Sequence, residues 1–526
     1  MRFAVLDVET TGNRGDDEVI QFGLALIDDG AISGTYSTYV YTEKEIPEFI
    51  VQMTGITQEM VNGAPRLEQV ALELLPLLED RVLVGHNVNF DLDFLQRSLI
   101  QSGHAAYAGR VLDTMDLLRI CYPQLGSMRL GMACNELGVK LDRPHHAECD
   151  AVATAELFLL CLRKLDSLPL LTIQRITALL EARHDAGDLR WLFEQIRFRR
   201  EMTQALEMDQ RSYFRRIHLK VGDWADSQEE EEDYPDELVE LSFSAFYEQA
   251  KEALRTSFEH YEERAEQETM IFEVYEAFRQ GRHLLIEAGT GTGKSLAYLL
   301  PALYTSLTED RRVVVSTHTI NLQEQLRRRD LPLLQQISPY PFKAAVLKGR
   351  NHYLCLRKFE QRLNGRDYDS RDQLIAAAQM LVWLGDTEHG DDEELQLSSR
   401  GKDFWRSVES DTPSCLNRAC PWFRKCFYHR SRHAAGEADI VITNHSMLLT
   451  DVRAENRIIP PYDLLVIDEA HHFEQTASKH MGVELGYYSF LNPLTWLVKD
   501  AKNGQLPALI HTLRTHPHEE APAWAE

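Results

Sequence analysis

Long apolar runs are missing from these 526 residues. The best candidate for a membrane span, Leu296 to Tyr304, is far shorter than the ~20 residues a spanning helix needs and contains Pro301, so no membrane function is expected. The start lacks a secretory pattern: one arginine and a short apolar run are followed at once by Asp7, and a cytoplasmic protein is expected. Positive charge is scarce as well. Against 82 Asp and Glu stand 56 Lys and Arg, a formal charge of −26 that argues against a blanket nucleic-acid coat. That acid is uneven, and part of it is the linker-like run Glu229 to Asp233. Cysteine is sparse, at eight. Cys121, Cys134, Cys149 and Cys161 lie in apolar or helical surroundings without metal-type spacing and read as reduced core thiols.

What is present is a globular composition, 44% apolar, long enough for roughly three to four domains at ~100–200 residues each. The stretch AVLDVETTG, Ala4 to Gly12, opens with a buried-strand signature. Side chains alternate along a strand, so Asp7 and Glu9 project from one face, and two adjacent carboxylates repel unless cations sit between them. Alone, the pair reads as well as solvated acids on an edge strand. Strands are expected at Val19 to Ile27, Thr35 to Tyr41 and Val82 to Val84, and a helix at Leu67 to Leu78. The last strand runs into GHNVNFD, placing Asp91 where strand gives way to helix. In HHAECD, Asp150 falls in the first turn of a helix reaching about Leu162, with His145 in the loop before it.

DVETTG, HNVNFD and H-x-A-x-x-D, in that order, resemble the DnaQ-like (DEDDh) 3′–5′ exonuclease family over residues 1–165. The resemblance implies an RNase H-like α/β domain in which Asp7, Glu9, Asp91 and Asp150 hold two Mg²⁺ or Mn²⁺ ions and His145 deprotonates the attacking water. The chemistry agrees. Phosphodiester hydrolysis needs a nucleophilic hydroxide near neutral pH and charge relief on the leaving oxygen, which a metal pair supplies, and histidine suits the proton step. His146 is set aside on spacing as a surface or supporting residue.

Residues 166–245 read as a helical connector with an acidic linker. Ile173 to Leu192 and Phe243 to Phe258 carry helical periodicity, and the Pro-containing stretch Asp223 to Asp236 lies between them. The basic runs Arg197 to Arg200 and Arg211 to Lys220 are expected to be solvated helix faces, with a nucleic-acid track as the alternative.

Residues 246–526 contain a second centre, IEAGTGTGKS. A strand at His283 to Glu287, a glycine-rich turn and a helix from Leu296 are the setting of a P-loop. There Ala288, Gly289, Thr290, Gly291, Thr292 and Gly293 wrap phosphate oxygens, Lys294 reaches the terminal phosphates and Ser295 meets a Mg²⁺ carried with ATP. LLVIDEAH follows, with Asp468 placed for the Mg²⁺ and Glu469 for the water attacking the γ-phosphate. Ala288 and the DEAH box resemble superfamily 2 helicases, and STHTINLQEQL resembles a backbone-gripping motif of that class. Glu266 and Gln267 are weak adenine candidates and read better as helix surface.

Between these boxes, in an insertion at about 350–435, lie Cys355, Cys415, Cys420 and Cys426. Reduced thiols so clustered suggest a metal site, and spacing alone leaves zinc, an iron–sulfur cluster or unliganded thiols open. Their position resembles the iron–sulfur domain of the XPD/DinG helicases and implies [4Fe–4S]. Nearby Arg357, Lys358, Arg418, Arg424, Lys425, Arg430 and Arg432 suggest a DNA contact or charge balance for thiolates.

Taken together the blocks resemble the DinG-type family of Gram-positive bacteria: an RNase H-like exonuclease domain, then a RecA-like P-loop domain with an inserted iron–sulfur domain. The chain stops soon after His471, inside what reads as the start of a post-DEAH insertion, whereas a second RecA-like lobe needs well over ~100 residues. A truncated product is therefore expected, with slow ATP hydrolysis and no unwinding. The leading functional expectation is a metal-dependent 3′–5′ exonuclease on single-stranded DNA, with RNA as an alternative substrate. The rivals are a parent whose main activity is ATP-dependent unwinding, and a nucleic-acid adaptor with inactive sites.

Overall fold

The computed structural model describes residues 1–203, 213–224, 241–257, 262–289, 291–365, 367–482 and 486–515. The chain divides into two compact units, Met1–Glu232 with Gly349–His433 and Asp233–Lys348 with Ala434–Glu526. The acidic run 229–233 lies outside the described residues.

The first unit is built on a five-stranded sheet. Its strands are β1 (Phe3–Thr10), β2 (Val19–Asp28), β3 (Ala31–Tyr39), β4 (Val82–Gly85) and β5 (Val111–Asp113), in the order β3-β2-β1-β4-β5. The β1–β2 and β2–β3 pairs are antiparallel, while β4 and β5 add parallel strands on the other side of β1. This is the mixed RNase H-like sheet. Being central, β1 is covered on both faces, which is why it reads as a nearly continuous apolar run.

Alternation divides β1 between two cores. Ala4, Leu6 and Val8 pack with residues of α1 (Leu67–Leu78) and α2 (Asn89–Gln101), among them Val70, Leu74, Phe94 and Leu95. Phe3 and Val5 belong to the opposite core, which holds α3 (Thr114–Cys121) and α4 (Ala147–Ser167), and the Phe3 ring meets Phe158 edge-on at 4.8 Å. Period two then assigns Asp7 and Glu9 to the α4 face, where the strand runs out of apolar side chains.

The helix expected over 173–192 is two helices, α5 (Leu170–Leu180) and α6 (Gly187–Thr203), with a 3₁₀ turn at His184–Ala186 between them. The segment EARHDAG breaks the apolar period, and Arg183 forks onto Asp185 across the turn. Short strands β6 (Tyr213–Phe214) and β7 (Ile217–His218) follow. Residues 349–433 complete the unit. Helix Arg371–Trp383 is buried all round, the pattern of a core helix, and shares its core with Leu117 and Leu118 of α3. Arg371 pairs with Asp116 at 2.7 Å, and the Gln396 amide donates to Gly126 O at 3.1 Å.

The second unit holds an all-parallel sheet of β8 (Val313–Thr317), β9 (Ala344–Val346), β10 (Ile440–Asn444) and β11 (Leu464–Ile467), ordered β11-β8-β10-β9, the RecA-like arrangement. The strand expected at His283 to Glu287 does not form. Residues 282–289 run without strand pairing, and Leu285 is 94% exposed. A short apolar run marks strand potential, but a strand exists only where a neighbour accepts its ladder, and none among the described residues pairs here. No described helix is long and apolar enough to cross a membrane.

Candidate active site

Three elements deliver carboxylates to the polar end of β1. Asp7 and Glu9 stand on the strand itself. Asp91 lies in the first turn of α2, and its Oδ1 accepts from the Val8 backbone N–H at 3.0 Å. Asp150, in the first turn of α4, accepts through Oδ2 from the His145 N–H at 3.0 Å. Glu9, His145 and Asp150 present ligand atoms that all lie within 4.8 Å of one another. Asp7 joins them electrostatically: desolvation first, then the charges of Asp91, Asp150 and Glu9, hold its carboxyl well above the ordinary range. Burial, followed by Asp150 and Asp91, pushes Glu9 up to about 8. Burial likewise pushes Asp91 up to about 7, and it raises Asp150. Groups so placed cannot all ionise without added positive charge.

The loop before α4 is held in an unusual conformation. His145 has φ 63°, in the left-handed region, and its side chain is exposed while Glu9 and Asp150 are buried. Three supporting residues escaped the sequence reading. Asp113 accepts from Asn87 N at 3.1 Å, Val88 N at 3.2 Å and Met115 N at 2.8 Å, fixing the turn that launches α2. Gln21 and Gly23 of β2 meet the start of α4. The legible sign was a single amide inside the apolar run VIQFGLALI.

In the second unit, Gly291 and Gly293 adopt φ 83° and 78°, conformations open to glycine at little cost, and the helix Lys294–Glu309 starts directly after them. Thr292 Oγ1 donates to Gly289 O at 3.0 Å, next to Ala288. Thr290 lies outside the described residues. Lys294 Nζ stands 3.4 Å from Glu469 Oε1, and Tyr298 OH donates to Asp468 Oδ2 at 3.3 Å, so the glycine turn and the DEAH carboxylates form one site. Ser295 lies beside the Tyr298 hydroxyl at the same place. Gln267 is more than helix surface: its amide donates to Gly293 O at 3.0 Å, and Arg264 bonds Gly291 O.

None of the eight cysteines forms a disulfide. Cys121, Cys134 and Cys161 are buried as expected, while Cys149 is half-buried. In the insertion, Cys355 and Cys415 both act electrostatically on Cys420 and on Cys426, so the four cluster; burial pushes Cys426 up to about 11. Arg350 Nη2 and the Asn417 N–H each donate to Cys415 Sγ at 3.4 Å. The surrounding cations are largely engaged within the protein. Lys425 pairs with Asp223 at 3.0 Å, Lys358 pairs with Asp411, and Arg357 and Arg430 donate to Ser414 O and Gly222 O. Among the basic connector residues, exposed Arg199 pairs with Asp166 and buried Arg200 donates to Leu168 O, so the 197–200 face of α6 is solvated as expected except at Arg200.

Comparison with known proteins assigns the class. Residues 4–158 match the exonuclease family, residues 264–353 the DEAD/DEAH box helicase family and residues 323–489 the DEAD_2 family. The chain joins an exonuclease domain to helicase-family segments.

In that order of domains it is similar to DinG proteins. It is 38% identical over 488 residues to the 3′–5′ exonuclease DinG of Bacillus subtilis (strain 168), covering 92% of this chain and 51% of that protein. To the 3′–5′ exonuclease DinG of Staphylococcus haemolyticus (strain JCSC1435) it is 30% identical over 513 residues, 96% of this chain and 54% of the relative. The chain thus spans about half the length of these relatives. Among solved structures, E. coli Exonuclease I in complex with a dT13 oligonucleotide is similar over 30% of this chain and 40% of that one, at 22% identity and a TM-score of 0.29.

Proposed function

We propose that this chain is a cytoplasmic, metal-dependent 3′–5′ exonuclease that removes mononucleotides from single-stranded nucleic acid, joined to an ATP-binding lobe. One observation carries the reading: four carboxylates from three distant segments converge on one end of β1, and Asp150 Oδ1 is buried there without a hydrogen-bond partner. A buried acceptor with no donor is costly unless a cation satisfies it, so the donor set fits two Mg²⁺ or Mn²⁺ ions held by Asp7, Glu9, Asp91 and Asp150. When bound, such ions supply Lewis-acid activation of water and charge relief at the leaving oxygen. The protein's own share is orientation and proton transfer. Asp91 is fixed by the Val8 N–H, Asp150 by the His145 N–H, and the exposed imidazole of His145 is within reach of a water between Glu9 and Asp150.

The test is release of mononucleotides from a 3′-labelled single strand with and without Mg²⁺. Asp7→Ala and Asp150→Ala should each abolish release while circular dichroism stays native. Cleavage surviving in the folded double variant would refute the assignment.

In the same reading residues 1–165 are the nuclease domain, residues 166–245 connect it to the P-loop lobe, and Ala288 to Ser295 with Asp468 and Glu469 hold Mg²⁺–ATP. Cys355, Cys415, Cys420 and Cys426 hold a [4Fe–4S] cluster. The N–H donors aimed at Cys415 Sγ suit a sulfur that carries cluster charge. A brown protein absorbing near ~400 nm, with matching iron and sulfide, is the expected outcome. A colourless preparation containing stoichiometric zinc would replace that assignment.

A further inference from the structure

We propose that Gln21 is the residue that positions His145 for the hydrolytic step, an inference that rests on the nuclease reading above. In the antiparallel β1–β2 pair, Glu9 lies directly opposite Gln21 and Asp7 opposite Gly23. Residues opposite one another in such a pair project from the same face, so Gln21 shares the surface that carries the acidic cluster. It is 1% exposed, and nothing in its strand's apolar sequence calls for an amide at that place.

The amide is used on both sides. Its Oε1 accepts from Ala147 N at 3.2 Å. Its Nε2 donates to Ser37 Oγ of β3 at 3.2 Å and stands 3.3 Å from His146 Nε2. These bonds grip residues 146 and 147, which directly follow His145 and precede Asp150. Gly23 completes the seat: a Cβ on that glycine would stand 2.1 Å from the carbonyl carbon of Ala147, so α4 begins in contact with β2.

His145 needs such a hold. Its backbone is left-handed, a costly conformation for a residue with a side chain, and it persists only where neighbours over-determine it. The His145 N–H donates to Asp150 on one side, and Gln21 pins the chain on the other. A glutamate at position 21 would keep an acceptor for Ala147 N but lose both donors. It would also place a fifth carboxylate beside Glu9. The neutral amide holds the loop without altering the charge of the ion site.

The experiment is single-turnover cleavage of a 3′-labelled oligonucleotide by the full chain, with Mn²⁺ affinity measured on the same samples. Gln21→Met removes every bond at near-constant volume; Gln21→Glu keeps the acceptor. We expect Gln21→Met to lower the single-turnover cleavage rate constant by about 10–100-fold, the scale of losing a supporting partner at a metal site, with the half-saturating concentration and Mn²⁺ affinity within about threefold. Gln21→Glu should retain more activity than Gln21→Met. In a His145→Ala background, Gln21→Met should cost less than about twofold more, because a residue that acts through His145 has nothing left to position.

Equal losses in both backgrounds would show a merely structural role and overturn the inference, as would a fully active Gln21→Met. If Gln21→Met does not fold, the same cycle with Gln21→Glu decides. An inactive wild-type chain would sink the nuclease reading itself, and this inference with it.

Discussion

Glu9 and Asp91 hold protons near neutrality, at about 8 and about 7, because burial and their acidic neighbours disfavour a second and third negative charge. In the unfolded chain both titrate near 4, so the folded metal-free protein binds more protons than the unfolded one across the window between. The stability this contributes is fully present below about 4 and is lost as pH rises through about 7 to 8. Without divalent ions the melting temperature should therefore fall from pH 5 to pH 8, as differential scanning calorimetry would show. Mg²⁺ should reverse the fall and release protons on binding, detectable as buffer-dependent heats in titration calorimetry. A metal-free melting temperature that rises over that range would contradict this.

Such residues were legible in the sequence because each sits in a short motif whose spacing carries its meaning. Gln21 was not, because its partners come from β3 and from the beginning of α4, more than a hundred residues away in the latter case. Nor was the reach of Arg264 and Gln267 to the P-loop backbone.

At the scale of elements, the junction of β2 with α4 governs the site. Gly23→Ala would drive a methyl group into the Ala147 backbone, and backbone cannot swing aside as a long side chain can. The expected result is a loss of about 1–3 kcal/mol in stability by urea unfolding, together with a fall in nuclease rate larger than that of a surface Gly→Ala control such as Gly34→Ala. Unchanged cleavage would mean that the seat of α4 does not matter. Element boundaries were read well where one chain segment decides them, as in α1 and β4. They failed where a partner decides. HLLIE at 283–287 has the short apolar run of a strand and no ladder among the described residues, and apolar periodicity on either side of EARHDAG hid the turn that separates α5 from α6.

For the whole molecule, the division into units does not follow chain order. The core that packs α3, α4 and α5 also includes Leu374, Met380, Leu381 and Trp383 of helix 371–383, and the Asp116–Arg371 pair joins the same two regions. A shortened chain of residues 1–203 would keep every candidate nuclease residue and yet expose the apolar surface that this helix covers. It should melt at lower temperature and bind more of a hydrophobic dye than the full chain, even if it still cleaves. Equal melting and equal dye binding would show that residues 349–433 merely rest against the nuclease domain.

The same packing sets a timetable during synthesis. A ribosome adds ~5–20 residues per second, so on the order of tens of seconds separate the emergence of Asp150 from that of helix 371–383, which covers its core. Through that interval the nascent first unit carries an uncovered apolar flank while the intervening P-loop segment is being made, a stage at which a chaperone would find its client.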